Sequence, residues 1–388
     1  MKIALALSGG GFRATVFHLG VLSRLAVENQ LENVNYLSTV SGGSLCTGLV
    51  FALNGFQWPS SAEYTGKVLP AVREIMTTVD LKGELIKRSL LHFLEIADTR
   101  ADDLSILMQE HWGINIRLNQ LPETPRWMIN ATCYESGRNW RFERFRMGDY
   151  AFGYTYDTDL PLSDAMAASA GYPGLIGALA LETSQRSWFR YLDEAQEISM
   201  LGAEAGKKKK TKSIQPAYSP IHLWDGGLYD NQGLEGLHDF HKGWKSDIDF
   251  LVVSDAAGRA KPQAYKAGVK ALERIITGIL MDQVRSLRSR AILERIIEHG
   301  DKGVFLQTGN TCEQVLRAGN KAAEIPVRLA SALSAAEAQQ VAEMDTDIGK
   351  LSEATFERTF RHGYEVANCT LYAYYPEHFQ YVGYAPVK

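Results

Sequence analysis

The 388-residue chain lacks most of the features that would send it to several broad functional classes. It has only four cysteines, Cys46, Cys133, Cys312 and Cys369, with no CxxC pair and no zinc-ligand spacing. A disulfide-dense scaffold is therefore not expected, and the usage suits a reducing, cytoplasmic setting. There is no excess of positive charge. Lys and Arg number 41 against 45 Asp and Glu, a net charge of -4, which argues against a general nucleic-acid binder. No stretch approaches the ~20 apolar residues of a spanning helix. Met1–Ser8 runs into glycines before its apolar part is long enough for a secretory signal. Contact with a membrane is thus expected to be peripheral, from the surface. Asp345-Thr346-Asp347 lacks the glycine and distal glutamate of an EF-hand. His238 and His241, three apart on an expected helix, have no carboxylate at metal spacing. No metal or other cofactor is expected. Internal repeats and Pro/Ser-rich linkers are missing too.

What is present is a large apolar fraction, 45%, enough for a substantial core. Residues 2–8 form a short apolar run followed by three glycines, and residues 13–28 then carry apolar side chains at helical spacing. Strand, glycine loop and helix open an α/β unit. A second unit follows, with a strand at Tyr36–Val40, a glycine turn at Ser41–Ser44 and a helix at Leu45–Leu53. Residues 60–120 read as mostly helical. Trp127–Tyr134 and Asn139–Arg146 read as a hairpin. Ser163–Ala170 is an alanine-rich helix, and Asp249–Ser254 a buried strand. Residues 183–217 form a polar insertion carrying Lys207–Lys210. Helical patterns dominate from residue 258, at Ala267–Ile297 and Ala335–Lys350, the latter opened by a Ser334/Glu337 capping box. Arg285, Arg288, Arg290 and Arg295 read as a solvated helix face. The organisation expected is a catalytic domain over residues 1–257 and a helical region, 258–388, packed on it or completing it.

Three glycine-containing motifs bear on chemistry. Gly9-Gly10-Gly11-Phe12-Arg13 joins a strand to a helix, so its backbone N–H groups converge at a helix N-terminus. Such a nest accepts an anion, either a phosphate or the oxyanion of an acyl-transfer intermediate. Its spacing is neither G-x-G-x-x-G nor that of a P-loop. Gly42-Gly43-Ser44-Leu45-Cys46 resembles a nucleophile elbow with cysteine in the last glycine position. Asp225-Gly226-Gly227 follows a short apolar stretch, and its glycines let another backbone approach the aspartate.

In this order the three motifs, with Ala167-Ala168-Ser169-Ala170-Gly171-Tyr172-Pro173 as a fourth, resemble the patatin-like phospholipase family over roughly residues 2–255. Asp282–Arg290 and His362–Leu371 look like segments of bacterial members. The resemblance implies an α/β fold, a three-layer sandwich around a mainly parallel sheet, and a Ser–Asp dyad without histidine. It implies Ser44 as nucleophile, Asp225 as general base and acid, Gly9, Gly10 and Gly11 as oxyanion hole, and Arg13, Gly42 and Gly226 in support. Ser41 is the rival nucleophile. It precedes two glycines, but Thr39 stands where an elbow glycine would be. Aligning Ser41–Cys46 with the family's S-G-T-S-A-G favours Ser44. No late histidine lies in a recognisable catalytic loop. The implied activity is hydrolysis of acyl esters of phospholipids or lysophospholipids, with burial of Asp225 raising its basicity. An acyltransferase using the same acyl-enzyme, and a lipid-binding signalling module that needs an activator, are the alternatives.

Overall fold

The computed structural model describes residues 1–91, 100–192, 210–239, 242–245, 247–258, 262–325 and 332–386. Among them, twelve strands share one sheet. In chain order these are β1 (Ile3–Leu7), β2 (Val34–Val40), β3 (Arg126–Cys133), β4 (Arg138–Glu143), β5 (Arg146–Asp149), β6 (Gly153–Thr155), β7 (Leu179–Leu181), β8 (Trp188–Tyr191), β9 (Thr211–Ile214), β10 (Ile221–Asp225), β11 (Phe250–Asp255) and β12 (Gly303–Gln307). The helices that matter below are α1 (Gly11–Ala26), α2 (Gly42–Leu53), α3 (Leu162–Ser169), α4 (Met281–Glu298), α5 (Cys312–Ala318), α6 (Ala335–Ala342) and α7 (Glu353–Tyr374).

Every residue of β1 is buried, as a strand covered on both faces requires. Ile3, Leu5 and Leu7 enter one apolar core, and Ala4 and Ala6 enter the other. The first core holds α1, α2 and α7, and the second receives Ile292 of α4. Helices thus cover both faces of the sheet. The order β12-β11-β1-β2-β3 is parallel throughout. From β3 onward the sheet turns antiparallel through β4, β5, β6, β8 and β9, and β10 also pairs with β3. The parallel half is the expected α/β core, and the antiparallel half extends it.

Residues 258–388 do more than pack helices against the domain, because β12 joins the sheet beside β11. Helix α7 lies on α1 so closely that a Cβ on Gly20 would strike the Phe360 carbonyl, and one on Gly363 the Phe17 carbonyl. The Ser334/Glu337 capping box is present. The helix it opens ends at Ala342, not Lys350, because residues 344–347 turn away to pack on the glycine loop. Cys312 and Cys369, 57 residues apart, form a disulfide between α5 and α7 that their spacing does not announce. His238 lies on a two-residue strand and not on a helix, and His241 is outside the described residues. Of the polar insertion, β8 and β9 pair as its arms, and Lys207–Lys209 lie outside the described residues. Among the described residues no helix is long and apolar enough to cross a membrane.

Candidate active site

The parallel strands β1 and β2 end side by side, Leu7 opposite Thr39. Both chains then turn sharply into helices. The residue at the second turn is Ser41, with φ 49° and ψ -116°. A non-glycine residue in this region costs on the order of 1–3 kcal/mol and marks a constrained position. Helix α2 starts at once with Gly42, whose Cβ, if present, would strike the Gly11 carbonyl. Ser41 is therefore the elbow residue, with its side chain facing the cavity at the strand ends.

Ser44 stands elsewhere. It is fully buried in the first turn of α2, and its Oγ is 2.8 Å from both Thr39 Oγ1 and Ser169 Oγ. Trp127 Nε1 donates to the same Thr39 hydroxyl at 2.8 Å, and the Ser41 amide donates to Ser169 Oγ at 3.0 Å. These bonds form a chain that fixes the elbow backbone from behind. The expected pairing of Ser44 with Asp225 is thus corrected. The turn is one residue long and the helix begins immediately after it, so the third residue along points into the core.

Asp225, at the end of β10, lines the same cavity as Ser41, whose hydroxyl favours the charged form of the carboxyl. Its Oδ1 accepts the Gly227 amide at 2.7 Å. Asp225 is 3% exposed, and burial pushes its pKa up from 3.8 to about 6, against the opposing pull of the Gly227 amide and the Ser41 hydroxyl. The strand end is held from both sides. Asp225 N donates to Gly171 O at 3.1 Å, Gly226 N to Ser169 O at 3.3 Å, and Thr132 Oγ1 to Asp225 O at 2.8 Å. The small-residue segment at the end of α3 is the bracket that places the aspartate.

The glycine loop divides its amides. Gly9 N donates to Asn231 O at 3.0 Å, so it is occupied. Gly10, Gly11 and Gly42 donate to no backbone carbonyl among the described residues. Gly11 and Gly42 each open a helix, where N–H groups lack an intrahelical partner. Of the three expected donors, the Gly9 amide is thus engaged by Asn231, whereas those of Gly10 and Gly11 are not bonded to a backbone carbonyl among the described residues. Arg13 is 2% exposed and turned away from solvent. Its guanidinium bonds the carbonyls of Ala256 and Met344 and the Thr346 hydroxyl, and burial lowers its pKa to about 10. It clamps the C-terminal segment onto the loop. His18 does comparable work inside, contacting Ser8 O at 2.9 Å and Ser254 Oγ at 2.8 Å. Gly43 N donates to the same Ser8 carbonyl at 3.1 Å, so loop and elbow are tied through one atom. Burial lowers the His18 pKa to about 4, which keeps it neutral.

These groups open into a cavity of about 430 Å³. Its far wall is the helical run Val269–Glu273, Arg274–Leu280 and α4. Tyr172 and Thr277 of that wall line the cavity together. Among the described residues no histidine lines the cavity. His362, on α7, is buried and accepts from Gly309 N at 2.9 Å, and His222 pairs with Glu135 at 2.7 Å. Arg285 and Arg288 are not solvated. Arg285 reaches Ala257 O, Gly258 O, Asp282 and the buried Asp255, and Arg288 reaches the buried Asp230. Arg295 pairs with Asp301 at 2.7 Å.

The family model for patatin-like phospholipases matches residues 5–238, more than half of the chain. The chain belongs to the patatin-like phospholipase family. No curated protein matches it by sequence. Human GIVD cytosolic phospholipase A2 is similar in structure, with a TM-score of 0.49 and 12% identity, covering 97% of this chain and 60% of that one. Its complex with methyl gamma-linolenyl fluorophosphonate gives a TM-score of 0.50 at 12% identity, covering 95% and 57%. VipD from Legionella pneumophila gives 0.29 at 12% identity, covering 79% and 61%. At this identity the likeness concerns the fold alone.

Within this patatin-like phospholipase fold, the structure brings together Ser41, Asp225, Gly10 and Gly11. It does not bring Ser44 to Asp225. The motif reading gave no role to Ser169, to Asn231 or to the expected helix Ala267–Ile297 that forms the wall. A signal for Ser41 existed, since it directly follows the last strand residue, Val40, and an elbow must sit at that junction.

Proposed function

We propose that this chain is a serine lipid acyl hydrolase that cleaves fatty-acyl esters of phospholipids or lysophospholipids through a Ser41–Asp225 dyad. The observation that carries this reading is the strained elbow at Ser41, which opens into the same cavity as the buried Asp225 carboxyl. Asp225 takes the Ser41 proton as Oγ attacks the ester carbonyl. Its raised pKa brings its basicity closer to that of an effective neutral-pH base. The oxyanion is stabilised by the Gly10, Gly11 and Gly42 amides, which donate to no backbone carbonyl among the described residues. Asp225 returns the proton to the leaving alcohol, then deprotonates the water that hydrolyses the acyl-enzyme. Family membership supports the lipid substrate.

Peripheral contact with a lipid surface fits the outer face of the cavity wall. Val269, Leu272, Ile276, Ile279 and Leu287 recur there at helical spacing and are all exposed. An apolar stripe on the wall of a lipid-accepting cavity suits an interface of acyl chains and headgroups.

Ser41→Ala and Ser44→Ala variants, assayed on a p-nitrophenyl acyl ester and labelled with a fluorophosphonate, test the assignment. Ser41→Ala is expected to lose at least about a thousandfold in kcat/KM and all labelling. Ser44→Ala keeps its label and loses activity only to the extent that the elbow loosens. Full activity in Ser41→Ala, with loss in Ser44→Ala, overturns the assignment.

A further inference from the structure

The cavity has a charge imbalance that the dyad does not use. Of its basic residues, Arg13 is spent on carbonyls and a hydroxyl. Arg285 is spent on Asp282, at 2.9 Å, and on the carbonyls of Ala257 and Gly258. Lys266 and Lys270 also line the cavity. Neither has a carboxylate in ion-pair contact among the described residues. They stand four apart, separated by Gly268, whose φ of 68° turns the chain into the helix. Arg274, one helical turn further, lines the same wall. Among the described residues, Glu273 is the one acid on this wall outside the Arg285–Asp282 pair. The elbow end of the cavity therefore holds Ser41, and the wall end holds two lysines engaged in no ion pair among the described residues.

A glycerophospholipid has the matching layout. Its phosphodiester lies only a few bonds from the ester carbonyls on the same glycerol. With an ester at Ser41, the phosphate must lie within the same cavity. The family arginine, Arg13, cannot receive it while its guanidinium holds Met344, Thr346 and Ala256.

We propose that Lys266 and Lys270 form a phosphate subsite that selects phospholipids over uncharged acylglycerols. The inference rests on the Ser41 reading above and adds the residues that read the phosphate. Lysine suits this use as a flexible, compact charge that meets a phosphate without fixed geometry.

The test compares dihexanoyl-phosphatidylglycerol with dihexanoylglycerol. Both are kept monomeric, which removes attraction to a charged surface from the comparison. In Lys266→Gln/Lys270→Gln the ratio of the two kcat/KM values is expected to fall at least roughly tenfold, mainly through KM for the phospholipid. Lys266→Arg/Lys270→Arg is expected to restore most of the ratio. Inorganic phosphate separates a lipid phosphate from a free one. If the subsite reads the lipid, phosphate raises KM for the phospholipid in the wild type and loses this effect in the glutamine variant. An unmoved ratio overturns the proposal, as does phosphate acting alike on both substrates. Fluorophosphonate labelling of Ser41 reports whether each variant keeps its site. Loss of labelling in Ser41→Ala tests the dyad separately, so the two readings can fail independently.

Discussion

The two ends of the cavity are built in opposite ways. At the strand ends, each group is held by several buried bonds. Ser41 is fixed through Ser169 and by the helix that starts beside it, and Asp225 by Gly171, Gly227 and Thr132. The facing wall is held mainly at one end. Arg285 and Arg288 anchor α4 to buried aspartates, whereas Val269–Leu280 has no buried residue at all. The lesson concerns division of labour. Chemistry needs groups fixed to a fraction of an ångström, and the strand ends of a parallel sheet supply that. Admission and recognition of a large substrate tolerate a surface attached more loosely.

The largest expected effect lies at the rigid end. Asp225→Asn keeps the shape and removes the base, so kcat should fall by roughly a thousandfold. In the wild type, kcat/KM should decline as pH falls below about 6, where the buried carboxyl takes up a proton. Stability should move the other way. The folded state holds the Asp225 proton more tightly than the unfolded chain, whose pKa is near 3.8. Ionisation of this group therefore costs stability as pH rises from about 4 to about 6, and the cost is complete above that. A shift of about two units corresponds to about 3 kcal/mol. Asp225→Asn should accordingly melt at a higher temperature than wild type at pH 8, with the gap closing by about pH 4. Equal melting temperatures at pH 8 would show that the ionisation cost assigned to the buried Asp225 carboxyl is absent.

Next in size is the anchor of the wall. Arg285 and Arg290 are five residues apart on α4, one buried and one exposed. Removing Arg285 leaves Asp255 buried without its nearest cation, a loss of about 3 kcal/mol or more by chemical denaturation. Arg290→Ala should stay within about 0.5 kcal/mol of wild type. Similar costs for the two would erase the distinction between anchor and free face.

The pair also shows where sequence reading stops. Four arginines at helical spacing look alike along the chain, and only the fold reveals which of them face Asp230 and Asp255. The parallel strands β1, β2 and β11, the first two helices and the hairpin were legible, because short apolar runs and glycine turns are local signals. Choosing between Ser41 and Ser44 needed one more fact, namely that the strand ends at Val40 and the helix begins at Gly42 with no residue to spare. A motif alignment weighs glycines, whereas the backbone decides which side chain turns outward. Gly9 illustrates the same limit. Three consecutive glycines look equivalent until Asn231, more than 200 positions away in the chain, takes the amide of the first. The Cys312–Cys369 disulfide depends likewise on two helices meeting across the fold.

The smallest and most selective effect belongs to the outer face of the wall. Leu272 and Ile276 are exposed and do not line the cavity, so neither contributes to the reacting groups or to the lysine subsite. If the stripe seats the protein on lipid, Leu272→Asp/Ile276→Asp should reduce turnover of phospholipid in anionic vesicles by several-fold to about tenfold, since each exposed apolar side chain contributes about 1.5–3 kcal/mol at most when it leaves water. Hydrolysis of a monomeric p-nitrophenyl ester should stay at the wild-type rate, because the strand-end groups do not depend on that face. Co-sedimentation with the same vesicles should fall in parallel. A parallel loss on both substrates would instead mean that the two ends are coupled, and that the exposed helix helps to hold Ser41 and Asp225 across the cavity they share with Tyr172 and Thr277.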